Sequence, residues 1–244
     1  MRYAIISDVH ANLEALQAVR RKLALEGFDK MICLGDFVGY NPDPAPCIII
    51  LKDEISYAVR GNHDKAVADL IDLNYFNYHA REAVLWTRQR LLTSELDFLR
   101  NLAHGPILVN EKILICHGSP EDEDRYLITN RDIESTFVYL RSKYPKVKIC
   151  FFGHTHLPYA ASQEDGFIAK NGSLQLKKNQ LYLINPGSVG QPRDGNFKAA
   201  FGIYDDIKDE FYFYRVDYPL EETGQKIIHE GLPALEAERL KLGR

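Results

Sequence analysis

Apolar residues come in short blocks along this chain, and block after block closes on a polar turn. Tyr3-Ala4-Ile5-Ile6-Ser7 reads as a strand ending at Asp8-Val9-His10-Ala11-Asn12. Apolar positions then recur at Leu13, Leu16, Val19 and Leu23, the spacing of a helix, with Asn12 placed to cap it and Gly27 to end it. Met31-Ile32-Cys33-Leu34 predicts a second strand, closing on Gly35-Asp36 before a proline-rich loop and a helix near 45–53. Ser56-Tyr57-Ala58-Val59-Arg60 predicts a third, closing on Gly61-Asn62-His63-Asp64. Strand, polar turn and helix in repeated order give an α/β layered fold.

Residues 65–102 read as helical, with an amphipathic segment from Tyr75 to Leu92 and a shorter helix from Thr93. Ile113-Leu114-Ile115-Cys116 is a strand closing on His117-Gly118; an acidic run, Glu121-Asp122-Glu123-Asp124, and a helix capped by Thr129 follow. The acidic run reads as a solvated loop, with a lid over a site as its functional alternative. Val147-Lys148-Ile149-Cys150-Phe151-Phe152 is a buried strand ending at Gly153, and His154 and His156 follow one residue apart. A glycine there lets the backbone turn sharply, so both imidazoles can converge above the strand end. Beyond 158 come short strands at 167–169, 174–176, 181–184, 199–204 and 211–216. They are expected to pair largely antiparallel, as a second sheet packed on the first. A charged amphipathic helix follows from Leu220. With no repeat, low-complexity tract or linker, residues 1–244 read as one domain.

Composition narrows the function classes. The chain is 45% hydrophobic and 26% charged, an ordinary globular balance. A net charge of -4 offers no basic footprint for duplex nucleic acid. No apolar run approaches the roughly 20 residues that span a bilayer, and the start turns polar at Ser7-Asp8, too early for a secretory segment. The expected setting is cytoplasmic, without a membrane partner. Cys33, Cys47, Cys116 and Cys150 form no CxxC pair and read as packing residues rather than disulfide or zinc ligands.

Five of the eight histidines fall in the strand-end turns: His10, His63, His117, His154 and His156. In open α/β sheets functional groups gather beyond the carboxyl ends of strands. Imidazole is the commonest neutral nitrogen ligand for a metal. His79, His104 and His229 are assigned to surface or packing.

In chain order the turns read Asp8-x-His10, Gly35-Asp36, Gly61-Asn62-His63-Asp64, a strand-end His117 and Gly153-His154-x-His156. This series resembles the calcineurin-like metallophosphoesterase family. The run Asn185-Pro186-Gly187-Ser188-Val189-Gly190-Gln191-Pro192-Arg193 is similar to that of its small prokaryotic phosphodiesterase-like members. The resemblance implies a four-layer α/β/β/α sandwich of two mixed sheets flanked by helices. It also implies two divalent ions (Mn, Fe or Zn) that share Asp36, one completed by Asp8, His10 and His156, the other by Asn62, His117 and His154. Asp36 would offer one carboxylate oxygen to each ion. A hydroxide bridging such a pair attacks phosphorus, with the metals stabilising charge on the phosphate oxygens.

In that scheme His63 acts as general acid, with Asp64 orienting it or raising its pKa. Asn12, Asn62 and Arg193 are candidate phosphate ligands, with a helix cap the equal account of Asn12. Arg125 or Arg193 could replace the phosphate-gripping arginine that family protein phosphatases carry soon after Gly-Asp, where this chain has Phe37-Val38-Gly39-Tyr40. Tyr40 packs the loop or stacks on a base. Ala11 stands where many members have glycine. The expected substrate is a phosphodiester or related small phosphate ester. A dinucleoside polyphosphate of the diadenosine tetraphosphate type is the alternative, and a non-catalytic metal-binding scaffold protein is the alternative of another class.

Overall fold

The computed structural model describes residues 1–169 and 171–244. Strand β1 (Arg2–Ile6), helix α1 (Leu13–Glu26), β2 (Lys30–Cys33), α2 (Pro44–Glu54) and β3 (Ile55–Ala58) form two crossovers, with β1, β2 and β3 parallel. Asn12 Oδ1 accepts the Ala15 N–H at 3.1 Å, and Gly27 ends α1 at a φ of 74°. Helices α3 (Asn62–Val67), α4 (Tyr78–Arg90) and α5 (Thr93–Asn101) follow, with a 3-10 turn at Leu73–Tyr75 between the first two. The helix expected from Tyr75 starts later, because Asn77 Oδ1 accepts the Ala80 N–H at 3.0 Å and sets the boundary. Asn62 and His63 stand in the first turn of α3 rather than in a loop.

Then come β4 (Ile107–Leu108), β5 (Ile113–Ile115), α6 (Asn130–Lys143), β6 (Ile149–Phe151), β7 (Tyr159–Ser162), β8 (Gly166–Ala169), β9 (Gly172–Gln175), β10 (Tyr182–Asn185), β11 (Ala199–Asp205), β12 (Glu210–Val216), α7 (Leu220–His229) and α8 (Ala234–Leu242). Thr129 caps α6, its Oγ1 accepting the Asp132 N–H at 3.2 Å. The late strands do not make a sheet of their own. One six-stranded sheet runs β3-β2-β1-β11-β12-β9 and the other β4-β5-β6-β10-β7-β8. The physical reason is edge satisfaction. β1 and β6 each need a second backbone partner, supplied by β11 antiparallel and β10 parallel respectively. Sequence reading missed β4 and β7; the first has two residues and the second, Tyr-Ala-Ala-Ser, carries little strand pattern.

Alternation along the strands builds the layers. Tyr3 and Ile5 face Ile115, Phe151 and Ile184 across the sheet–sheet core. Ala4 and Ile6 point the other way, into a cluster with Leu16, Val19 and Leu23 of α1. On the far face of the second sheet Leu114, Cys150 and Phe152 meet Ile133, Phe137 and Leu140 of α6. The result is helices, sheet, sheet, helix. Ile227 of α7 and Leu240 of α8 pack against Ala83 of α4. Among the described residues no helix is long and apolar enough to cross a membrane.

Candidate metal centre

The carboxyl ends of β1, β2, β3, β5 and β6 meet at one place, and all seven ligand candidates of the sequence lie there. Asp8, His10, Asp36 and His156 form one group whose donor atoms fall within 4.8 Å of one another; Asp36, His117 and His154 form a second. Asn62 joins the second group, its Oδ1 3.2 Å from His117 Nε2. Apart from the half-buried Asn62, these side chains are almost wholly buried.

The turns reach this arrangement through a backbone that L-residues rarely adopt. Asp8, His10, Asp36, His154 and His156 have φ values of 53°, 46°, 55°, 64° and 59°. Left-handed geometry costs about 1–2 kcal/mol per non-glycine residue, and it persists only where the surroundings over-determine it. Here they do. Asp8 N–H donates to Gly35 O at 3.0 Å and His10 N–H to Asp36 O at 2.9 Å. The Asn185–Gly190 run buckles two strand ends together: Ser188 Oγ donates to Asp8 O at 2.8 Å, and Asn185 Nδ2 to Gly153 O at 2.7 Å. Ala11 shares the left-handed conformation at a φ of 56°, where glycine would carry no strain.

Hydrogen bonds fix which nitrogen of each imidazole is free. His10 Nδ1–H donates to Val38 O at 3.0 Å, His117 Nδ1–H to Leu34 O at 2.7 Å and His156 Nδ1–H to Gln191 O at 2.6 Å. The Nε2 atoms of His10 and His156 are left as lone pairs aimed inward, while His117 Nε2 faces Asp36 Oδ2 and Asn62 Oδ1. His154 is reversed: its Nε2–H donates to Asp124 O at 3.0 Å, leaving Nδ1 free. Outer partners of this kind orient metal-ligating histidines. The Nε2 atoms of His10 and His156 are 3.2 Å apart. Two facing lone pairs at that distance repel unless a cation lies between them. Burial pushes the pKa of His10, His154 and His156 well below the usual imidazole value, which keeps them neutral and able to ligate.

Asp36 belongs to both groups. Its Oδ1 accepts the His63 N–H at 2.9 Å. Its Oδ2, buried and without a hydrogen-bond partner, lies 3.5 Å from His10 Nε2 and 3.4 Å from His117 Nε2. Of the two oxygens, Oδ2 is the one that faces both groups, while Oδ1 already accepts one N–H. Burial lowers His117, but the Asp36 carboxylate outweighs it and raises the group to about 10. Burial raises Asp8 to about 7; a divalent cation would reverse both shifts. An orphaned carboxylate oxygen, four convergent imidazoles and no thiolate fit divalent metal ions.

A pocket of about 470 Å3 opens above this cluster, lined by Asp36, Asn62, His63, His154, His156 and Arg193, among others. His63 stands between the rings of Tyr40 and Phe76, with centroids 4.4 and 5.1 Å away. Its Nδ1 is buried and unpartnered, so Nε2 is the nitrogen left for the pocket. Burial lowers its pKa to about 4, with Asp36 acting in the opposite direction. Asp64 does not orient it. The Asp64 carboxylate accepts the N–H groups of Asp36, Phe37 and Gly61 at 2.8–2.9 Å and ties the second and third turns together.

Asn12 is likewise withdrawn from the phosphate role. Its Oδ1 caps α1 and its Nδ2 donates to Gly190 O at 3.0 Å. Arg125 does not line the pocket and pairs with Asp132 and Glu121. Arg193 does line it; Nη2 donates to Gln191 Oε1 at 2.9 Å, and Nε is buried without a partner. Tyr40, 5% exposed, packs between His10, His63 and the guanidinium groups of Arg193 and Arg239.

The acidic run is solvated at Glu121, Asp122 and Asp124, as expected, and it is pinned to the body of the fold through Glu123 and Asp124. Lys65, 3% exposed, pairs with Glu123 at 2.8 Å and with Asp124 at 2.7 Å, and Arg60 also reaches Glu123. Burial raises Glu123, and Lys65 and Arg60 more than reverse that, leaving it lowered. Sequence reading missed Lys65, and it missed Gln191, whose carbonyl holds His156 and whose amide donates to the buried Glu236 at 2.8 Å. Lys65's place next to the Asn62-His63-Asp64 motif was the available signal.

Residues 1–206 match the calcineurin-like phosphoesterase superfamily domain. The chain is 37% identical to the uncharacterized protein MJ0912 of Methanocaldococcus jannaschii over 99% of this chain and 98% of that one. It is 24% identical to Phosphodiesterase YfcE of Escherichia coli K12, over 84% of this chain and 88% of that one. A solved metallophosphoesterase from Sphaerobacter thermophilus superimposes with a TM-score of 0.87 at 32% identity, covering 100% of this chain and 99% of that one. With its strand-end turns supplying clustered aspartate, histidine and asparagine donors, the chain belongs to the calcineurin-like phosphoesterase superfamily.

Proposed function

We propose that the protein is a phosphodiesterase acting on small phosphate diesters, with two divalent ions at the paired ligand groups. The observation that carries this reading is Asp36 Oδ2, unpartnered between His10 and His117 beneath a pocket that holds the Arg193 guanidinium. Asp8, His10, Asp36 and His156 would hold one ion, and Asp36, Asn62, His117 and His154 the other. Manganese is the ion to try first, with iron and zinc compatible with the same nitrogen and oxygen donors. When bound, such ions lower the pKa of water and neutralise charge on phosphate oxygens.

The chain's own residues do the rest. Arg193 grips a non-bridging phosphate oxygen through its unpaired guanidinium edge. Asn62, which lines the pocket, offers amide hydrogens to the same group. His63 gives the proton at Nε2 to the leaving oxygen as the phosphorus–oxygen bond breaks. One water is consumed, and a phosphomonoester and an alcohol leave. An anionic phosphate beside His63 favours its protonated form, as Asp36 already does. The Asn185–Gly190 run and the similarity to a protein named as a phosphodiesterase support the diester choice.

The test is to strip metal, restore Mn2+ and assay bis-p-nitrophenyl phosphate, p-nitrophenyl phosphate and diadenosine tetraphosphate in parallel. Metal-dependent turnover of the diester, abolished in His154→Ala and cut in kcat by His63→Ala, is expected. Folded, metal-loaded protein without turnover on all three would overturn the reading in favour of a metal-binding scaffold.

A further inference from the structure

The lining residues come from two segments of unlike character. Ile71, Tyr75 and Phe76 lie before α4, and Asp122, Asp124 and Tyr126, the last stacked on His154, lie after β5. Phe76 meets the ring of His63 edge to face, with 5.1 Å between centroids and 90° between planes. Tyr75 lines the mouth yet is 88% exposed, an aromatic ring without a packing role in the folded chain. Lys65, which pairs with Glu123 and Asp124, does not line the pocket. Arg193 is therefore the one cationic side chain among the described lining residues.

The geometry points to a leaving-group subsite in which Ile71, Tyr75 and Phe76 receive a flat, uncharged aromatic group on the departing alcohol, an aryl or nucleoside moiety. This rests on the phosphodiesterase reading. In an in-line displacement the leaving oxygen departs opposite the attacking water. The group that protonates that oxygen is His63, so whatever the oxygen carries lies against the wall beside His63. That wall is Phe76 and its neighbours. Aromatic faces bind planar rings by stacking without asking for a particular hydrogen-bond pattern. A polyphosphate in the same place would meet apolar and aromatic side chains with no basic side chain beside them to balance its charge. A diester of an aromatic alcohol is thereby favoured over a dinucleoside polyphosphate.

The experiment uses the full chain reconstituted with Mn2+. Calorimetry compares phenylphosphonate, adenosine 5′-monophosphate and methylphosphonate in wild type, Tyr75→Ser and Phe76→Ala. At least one of the two aromatic ligands is expected to bind about tenfold tighter than methylphosphonate, from stacking energies of that order, and their ranking separates an aryl from a nucleoside source. Both variants are expected to narrow the gap, with methylphosphonate affinity unchanged. Tyr75 is exposed enough that Tyr75→Ser tests the idea even if Phe76→Ala folds poorly. Equal affinity for the three ligands, or a gap that survives Tyr75→Ser together with Phe76→Leu, would overturn the subsite. If wild type still hydrolyses bis-p-nitrophenyl phosphate in that case, only the subsite falls. If it neither hydrolyses a diester nor binds a phosphonate, the phosphodiesterase reading falls with it.

Discussion

Gly61→Ala is the sharpest probe of the shared carboxylate. A Cβ on Gly61 would lie 2.0 Å from Asp36 Oδ1 and 2.5 Å from Asp36 N, against backbone and a buried acid rather than a flexible side chain. Its φ of -99° and ψ of 177° suit alanine, so the effect is steric, not conformational. Ordinary contact begins near 3.4 Å, so Asp36 must retreat by about 1 Å or more, and a misplacement of that size is worth roughly 100-fold in a site. The retreat also breaks the charge-assisted bond from His63 N–H to Oδ1, 2.9 Å long, which costs about 1.5–3 kcal/mol. With overpacking the loss is about 2.5–6 kcal/mol, which a domain in the upper part of the usual range of about 5–15 kcal/mol survives. The assay is metal content per folded chain, with urea unfolding in the presence and absence of Mn2+. Lower metal affinity at both groups and a smaller Mn2+-induced stabilisation are expected. Gly224→Ala is the control: its Cβ meets nothing closer than Ala237 Cβ at 3.8 Å inside α7, so it should stabilise by about 0.5–1 kcal/mol and leave metal binding alone. Wild-type metal affinity in Gly61→Ala would refute Asp36 as the shared ligand.

Lys65→Met removes the cation that holds the acidic loop, leaving Glu123 with Arg60 and half-exposed Asp124 with water. A loss of about 2–3 kcal/mol in urea unfolding is expected, below the full cost of a broken buried pair because of those remaining partners. Metal affinity should drop about 10- to 100-fold, since Asp124 O orients His154; unchanged affinity would separate the loop from the site. Asp132→Asn tests the α6 cap. The N–H and hydroxyl of Thr129 hold the Asp132 carboxyl well below the usual carboxylate range. Its contribution is therefore present above an ordinary carboxyl pKa of about 3.9 and fades as pH falls through and below it. The variant should lose about 1 kcal/mol at pH 7, with the difference narrowing as unfolding is followed down toward pH 3; a constant difference would sink the capping account.

The candidate ligands were legible because their signal is local. A strand, a glycine or left-handed turn and a histidine or aspartate recur in order, and sheet geometry does the gathering. The cap at Asn12 was legible for the same reason, although only the structure shows that capping α1 and bonding Gly190 O use up its side chain. What could not be read was pairing between distant segments. Nothing near Lys65 announces Glu123, 58 positions away. Likewise β10 could not be assigned beside β6 from an apolar run alone, because burial on both faces erases the alternation that marks a sheet face. Asp64 was misread because proximity in sequence to His63 suggested contact, whereas the first turn of α3 sends its carboxylate back to the amides of Asp36 and Gly61.

The matched domain ends at residue 206, yet α8 reaches back through it. Glu236 accepts from Gln191 Nε2, Gln191 Oε1 accepts from Arg193, and Arg239 lies over the ring of Tyr40 at 5.4 Å. The family signature and the working unit are therefore different lengths of chain. A protein cut to the signature would keep all seven donor residues and lose the brace behind Arg193 and His156. The tail is thus a tuning handle: substitutions there can re-aim Arg193, the residue proposed to grip phosphate, while the seven candidate ligands stay untouched.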